Sequence, residues 1–346
     1  MRSIRLPRFA YVVAAATAAL LTASAVPAGA TTAGVTTTDL GVPLGGYSSF
    51  AYGINDSGTI VGYSYLPGDN SWHAVRWEPG GAATDLGVLP GASSSVARAI
   101  NNHGVIVGDS GNHGVRWNPD GTITDLGADT SAQGINDDGA VVGSAYDAAT
   151  GRHAVRWNPD GSVTDLGKLA GDVWSKADAI NNTGTVIGMS SRYEGVDHAV
   201  RWSPDGTISV LSTVPGGAYS IASGLNDDGT IVGDSYSSAT GGHAVRWDAQ
   251  GNLSVLAVPS GTSAAEARAI NRGGTIVGTV SDKAGTPRAV RWNTDGTITD
   301  LANLPSGVPS EAAAINACGV IAGNARLDVN SGSRHAVRWS DEPGTR

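Results

Sequence analysis

Residues 175–211 read SKADAINNTGTVIGMSSRYEGVDHAVRWSPDGTISVL, and this stretch decides the fold. Ser175–Asn181 alternates small side chains and reads as one short strand. Asn182-Thr183-Gly184 is a turn, and Thr185–Gly188 (TVIG) is a second strand. After a loop, His198–Trp202 (HAVRW) is a third. Pro204-Asp205-Gly206 then turns the chain into a fourth strand, Thr207–Leu211. Proline presets φ in such a turn and glycine accepts a positive one. Four short antiparallel strands in about 45 residues are the signature of one propeller blade.

The unit recurs from one side of the chain to the other. Its tryptophan stands at Trp77, Trp117, Trp157, Trp202, Trp247, Trp292 and Trp339. The Ile-Asn or Leu-Asn phrase ends at Asn55, Asn101, Asn136, Asn181, Asn226, Asn271 and Asn316. The fourth-strand leucine is Leu40, Leu86, Leu126, Leu166, Leu211, Leu256 and Leu301. Each phrase occurs seven times, but the series starts out of phase. The fourth-strand phrase comes first, at Thr36–Leu40 (TTTDL), and is missing after Trp339. A ring must close, or its first and last units leave apolar faces bare. The split therefore predicts an all-β, seven-bladed β-propeller of four-stranded antiparallel blades, with Thr36–Leu40 pairing beside His335–Trp339. The competing architecture, an open β-solenoid, calls for capping units instead of a divided one.

Composition agrees with this and excludes several classes. The chain has 346 residues, but shared packing between units makes residues 31–346 one domain. It holds 49 glycines and few charges. Residues 1–30 differ in kind. Arg2, Arg5 and Arg8 precede an apolar run from Ala10 to Val26, and Ala28-Gly29-Ala30 follows. This is the pattern of a secretory signal cleaved after Ala30, so the protein is expected to be secreted and extracellular. No stable membrane anchor is expected. Of 22 Lys and Arg, three lie in the leader, leaving 19 against 31 Asp and Glu, a formal charge of −12. Seven of the 19 are repeat arginines, which leaves no basic stripe for nucleic acid. The single cysteine, Cys318, allows no internal disulfide. The chain is expected to act as a monomer, without a cofactor.

Most conspicuous chemistry in the repeat reads as scaffold. The seven tryptophans suit packing between blades. The repeat arginine is expected to lay its stem on a blade face and send its head to a carbonyl or carboxylate. Blades four and five have Val210 and Val255 where others have a fourth-strand aspartate, yet they keep Arg201 and Arg246. That aspartate is therefore not the arginine's obligatory partner. His73, His113, His153, His198, His243 and His335 occupy the first position of the third strand. Third strands lie about 10 Å outside the first, which parts the copies far beyond the ~2 Å of zinc ligation. They are expected to pin strand starts by hydrogen bonds. Asn136-Asp137-Asp138-Gly139 and Asn226-Asp227-Asp228-Gly229 resemble calcium-loop fragments but lack the bidentate glutamate. No metal and no catalytic residue is assigned. Cys318 sits in a turn and reads as an incidental thiol.

Loop lengths separate the two faces of the ring. From the Ile-Asn isoleucine to the following Val-Gly glycine, as in Ile54 to Gly62, the step is always eight. From tryptophan to the fourth-strand leucine it is always nine. Both hairpins open on one face, so all length variation falls on the other. Loops on a rigid scaffold are where binding concentrates. Blade two keeps only Asp109–Asn112 between its second and third strands, and its link into blade three is five residues short. Those two deletions raise the expectation of a notch at the junction of blades two and three, the alternative being neutral loop loss.

The variable face also gathers aromatic residues. Trp72 and Trp174 are the tryptophans outside the repeat, and Tyr47, Tyr63, Tyr65, Tyr146, Tyr193, Tyr219 and Tyr236 lie in these loops or at their bases. Large amphipathic rings suit glycan or peptide contact. The first strand, Ser-x-Ala-x-Ala-Ile-Asn, should line the axis. Its second variable position is Tyr52, Arg98, Gln133, Asp178, Ser223, Arg268 and Ala313. The expected ligand-binding set is Trp72, Trp174, Tyr52, Arg98, Asp178, Arg268, Tyr193 and Tyr219. Acidic residues of this face include Asp172, Asp178, Glu194, Asp197, Asp234 and Glu266, and two of them could form a glycosidase pair. Three functions remain open: a binding module for a glycan or protein, a polysaccharide lyase or hydrolase at the channel mouth, and a structural envelope or matrix protein.

The unit is clearest from Ala97 to Trp117, followed by Asp120-Gly121 and Asp125-Leu126-Gly127. Over residues 36–339 the chain resembles the extracellular HAF-repeat family of bacterial proteins. It departs in having valine where that family's H-A-F phrase has phenylalanine. The resemblance implies export and a β-repeat fold, and no established activity or catalytic residue comes with it.

Overall fold

The structure is a computed structural model that describes residues 34–68, 70–192, 197–301, 309–326 and 332–341. The expected leader, residues 1–30, lies outside these, as do Tyr193 and Glu194. The described residues form seven four-stranded antiparallel sheets arranged as a seven-bladed β-propeller. Blade four shows how the reading maps onto strands. Its inner strand is Trp174–Ile180, followed outward by Val186–Ser191, Asp197–Trp202 and Ile208–Val210.

The ring closes as the split repeat requires. Val35–Asp39 pairs antiparallel with Arg334–Asp341, bringing Thr37 opposite Trp339 and Asp39 opposite Val337. The Leu40 amide extends the ladder to the Ala336 carbonyl at 2.9 Å. Blade seven is thus completed by residues almost 300 positions apart in sequence.

Packing between blades is the main source of stability. One apolar cluster joins Val61 and Ala74 of blade one to Ile100, Ile106, Val115 and Trp117 of blade two. The other clusters repeat that arrangement around the ring. The repeat tryptophans are all buried. Each covers on the order of 150–250 Å², or about 4–6 kcal/mol at about 25 cal/mol per Å². Several indoles also donate backwards to the preceding link, as Trp77 Nε1 does to Leu40 O (3.2 Å) and Trp247 Nε1 to Ser212 O (2.9 Å). Some of the repeat arginines reach forward, while Arg76 and Arg156 hold Glu78 and Asn158 of their own blades. Arg201 donates to Ala249 O and Arg338 to Pro79 O, each in the next blade's outer turn and each at 2.8 Å.

The fourth-strand aspartate has a partner that the sequence reading did not assign. Asp85, Asp125 and Asp39 accept from Nδ1 of His73, His113 and His335 at 2.9–3.0 Å. In blade six Arg288 replaces the histidine and pairs with Asp300. Where the aspartate is present, the histidine therefore ties the start of the third strand to the fourth.

On the constant-length face the seven repeat asparagines form a closed belt. Asn55 Nδ2 donates to the Asn101 carbonyl, Asn101 to Asn136, Asn136 to Asn181, and so on until Asn316 donates back to Asn55. The distances run from 2.9 to 3.4 Å. The same side chains hold their own turns, since Asn181 Oδ1 accepts from Thr183 N and Thr185 N. Just outside, Asn102 Nδ2 bridges the carboxylates of Asp56 and Asp137, and Asn182 Nδ2 bridges Asp137 and Asp227.

Candidate functional site

The inner strand of every blade carries a β-bulge at one position. The register slips between Ala51 and Gly53, Ala97 and Ala99, and Ala177 and Ala179, and at the equivalent step of the other four blades. The residue passed over is the second variable position: Tyr52, Arg98, Gln133, Asp178, Ser223, Arg268 or Ala313. A bulge leaves one residue unpaired and re-aims its side chain. All seven line a depression of about 450 Å³ on the axis at the variable face. The bulge also accounts for the repeat's Val-Gly glycine. A Cβ on Gly188 would fall well inside contact distance of the Lys176 carbonyl oxygen, and the other six glycines meet the same obstacle.

The charges in the depression are paired. Arg98 Nε meets Asp109 Oδ2 at 2.8 Å, and Lys176 Nζ meets Asp178 Oδ1 at 2.9 Å. Arg334 reaches Glu311 at 2.9 Å, and Arg268 pairs with Glu266. Burial pushes the Asp178 carboxyl above the usual carboxylate range, against the opposing pull of Lys176 and Arg98. Burial, with Glu266 adding to it, raises Asp234 to about 6, while Arg268 pulls the other way. The depression is thus close to electroneutral and rich in hydrogen-bonding groups.

A second ring escaped the sequence reading. It is the residue after the Val-Gly glycine: Tyr63, Asp109, Ser144, Met189, Asp234, Thr279 and Asn324. Asp109 holds Arg98, while Asn324 Oδ1 accepts from the Ala51 amide at 2.8 Å. Its signal was available, since this position varies in chemistry as freely as the bulge residue. What was missing was the pairing register that sets it beside the inner strand.

Blade one carries an aromatic shelf. Tyr47 stacks on Tyr65 (centroids 4.4 Å apart) and Phe50 on Tyr63 (4.9 Å). Trp72 packs at a tilt against Tyr63 and edge-on against Tyr65. Tyr52 joins the group through Tyr63 at 5.8 Å and also lines the central depression. Tyr47 and Tyr52 remain 51% and 38% exposed, so the shelf offers ring surface to solvent. Burial raises the Tyr63 phenol and keeps it neutral.

The remaining candidates lie elsewhere on this face. Tyr219 stacks on Tyr236 of blade five at 5.5 Å, apart from the shelf. Trp174 lines a separate groove between blades three and four. At the junction of blades two and three the shortened segments close tightly. Ser110 pairs directly with His113 across a two-residue turn begun by Gly111, at φ 60°. The outer strand of blade two runs on to Ala128 and turns through Asp129, at φ 57°, into Thr130. The groove lined by Trp174 thus lies one junction away from the shortened segments, where the sequence leaves a notch and neutral loop loss as alternatives. Tyr193 lies outside the described residues.

No protein-family model matches the chain, and no curated protein does. Solved structures with a similar ring include virginiamycin B lyase from Staphylococcus aureus, with a TM-score of 0.56 at 13% identity. That match covers 88% of this chain and 98% of the lyase. A puromycin-hydrolyzing peptidase from Mycobacterium tuberculosis matches at a TM-score of 0.58 and 12% identity, over 93% of this chain and 55% of its own. A puromycin hydrolase gives 0.56 and 16%, over 82% of this chain and 51% of its own. At these identities the likeness establishes the fold alone.

Proposed function

We propose that the chain is a secreted binding module, of the HAF-repeat kind, that recognises a glycan on its variable face. The observation that carries this reading is the aromatic shelf of blade one, continuous through Tyr52 with the central depression. A sugar ring has apolar C–H faces and a polar edge. Exposed stacked phenols match the faces, and paired side chains such as Arg98–Asp109 and Lys176–Asp178 supply fixed donors and acceptors for hydroxyls. Secretion rests on the leader pattern of residues 1–30 and places the protein where polysaccharides are available.

The test is titration calorimetry of the purified protein against a panel of cell-wall and environmental polysaccharides. Tyr52→Ala and Trp72→Ala should each weaken binding at least about tenfold, about 1.4 kcal/mol, with the melting temperature nearly unchanged. Absence of binding across the panel would refute the reading. A second reading is favoured by Asp178, whose buried carboxyl stands in the depression beside Lys176 and within the field of Arg98. A carboxyl with a raised pKa suits general acid–base work. Polysaccharide turnover that disappears in Asp178→Asn would identify a lyase or hydrolase instead of a pure binder.

A further inference from the structure

The groove between blades three and four differs from the rest of this acidic protein. It encloses about 490 Å³ and is lined by Tyr146, Arg152, Trp174 and Lys176, with Ser131 and Ser144 on its floor. It shares the side chains of Gln133 and Lys176 with the central depression, so the two cavities are neighbours. Two cations line it and no carboxylate does. Lys176 is held by Asp178, but Arg152 donates only to the neutral Ser144 hydroxyl, at 2.9 Å, among the described contacts. Tyr146 stands opposite Arg152 across the strand pair and is 54% exposed. Trp174 follows a link anchored by the buried Asp172, which accepts from Ser190 Oγ at 2.6 Å and pairs with Arg192.

We infer that this groove takes an acidic sugar, a uronic acid residue of the glycan whose neutral part lies in the depression. The inference rests on the glycan-binding reading above and adds the substrate class. Trp174 and Tyr146 offer ring faces to the sugar. Arg152 presents a planar fork that matches a carboxylate with two parallel hydrogen bonds. In a chain with a large excess of acidic residues, a cavity whose charged lining is Arg152 and Lys176 is a place where an anion gains from pairing.

The experiment measures affinity for polygalacturonate, alginate and hyaluronate, each beside its methyl ester, and for dextran sulfate. At least one uronate polymer should bind at least tenfold more tightly than its ester, with the preference fading as salt rises. Arg152→Gln should bring the ratio of acid to ester affinity, both measured on that variant, down to about one. Trp174→Ala should weaken acid and ester together. Both sites are at the surface, and an unchanged melting temperature certifies each variant. Equal affinity for acid and ester, or preference for dextran sulfate over every uronate, overturns the inference while leaving glycan binding intact. Failure to bind any glycan, charged or neutral, overturns both.

Discussion

The two faces of this ring are made by the same seven hairpin sets, yet they put repeated residues to opposite uses. On the constant face, seven copies of one asparagine do one job and meet head to tail. On the variable face, seven copies of one bulge present six kinds of side chain. The lesson is that regular backbone geometry can enforce sameness or permit difference, depending on where the side chain's partner lies. The asparagine's partner is the neighbouring blade's own backbone, so any change breaks a link in the belt. The bulge residue faces open volume, so the scaffold hardly notices its identity.

Four perturbations would break or sharpen this contrast. The largest effect is expected from deleting residues 35–40. The deletion bares the edge of Arg334–Asp341 and removes the Trp77 indole's acceptor at Leu40, so cooperative unfolding should be lost. A sharp calorimetric transition in the deletion protein would show that the ring does not depend on closure. Next is Gly188→Ala, which drives a methyl group into the Lys176 carbonyl and should cost about 3 kcal/mol by urea denaturation. A near-neutral result would mean that the bulge relaxes easily. Third is Asn181→Ala, which strips hydrogen bonds from its own turn and from the Asn226 carbonyl. It should cost about 1–3 kcal/mol and leave glycan affinity unchanged, coupling stability to one face and recognition to the other.

The smallest effect concerns Asp234. Its folded pKa of about 6 lies above the ordinary value near 3.9, so the folded state holds the proton more tightly than the unfolded chain. The resulting stabilisation is complete below pH ~4 and is lost as pH rises through about 6. Asp234→Asn should flatten the melting-temperature profile across that interval and raise it by about 1–3 °C at pH 7. Identical profiles for the two proteins would remove the assignment.

The architecture was legible because it is written in copies. Seven phrases out of phase at Thr36–Leu40 specify both the blade number and the closing strand, and Val35–Asp39 lies within one residue of that expectation. The axial position of Tyr52, Arg98, Asp178 and Arg268 was legible too, from free variation inside a constant frame. The bulge that aims them was not, because its one mark, the Val-Gly glycine of the facing strand, becomes specific only once the pairing register is known. The belt was hidden for a related reason. Asn181 meets a backbone carbonyl 45 residues away, and backbone groups carry no residue identity. The blade-one shelf was half visible. Its aromatic residues stood out singly, but the stacking of Phe50 on Tyr63 depends on the bulged pairing of the first two strands. The position of Trp174 in the link into blade four was legible, whereas the groove it lines was not, because that groove depends on how Tyr146 and Arg152 of blade three face it.

The divided blade also sets an order in time. A ribosome makes Val35–Asp39 first among the described strands and Arg334–Asp341 last. The closing strand must therefore wait, unpaired, through the synthesis of every blade between. Its register becomes available only when Trp339 has emerged, so no truncated product can complete the ring. Contacts of such sequence separation form slowly. The fold thereby makes closure wait on the last strand, and a chain that stops before it carries an open edge.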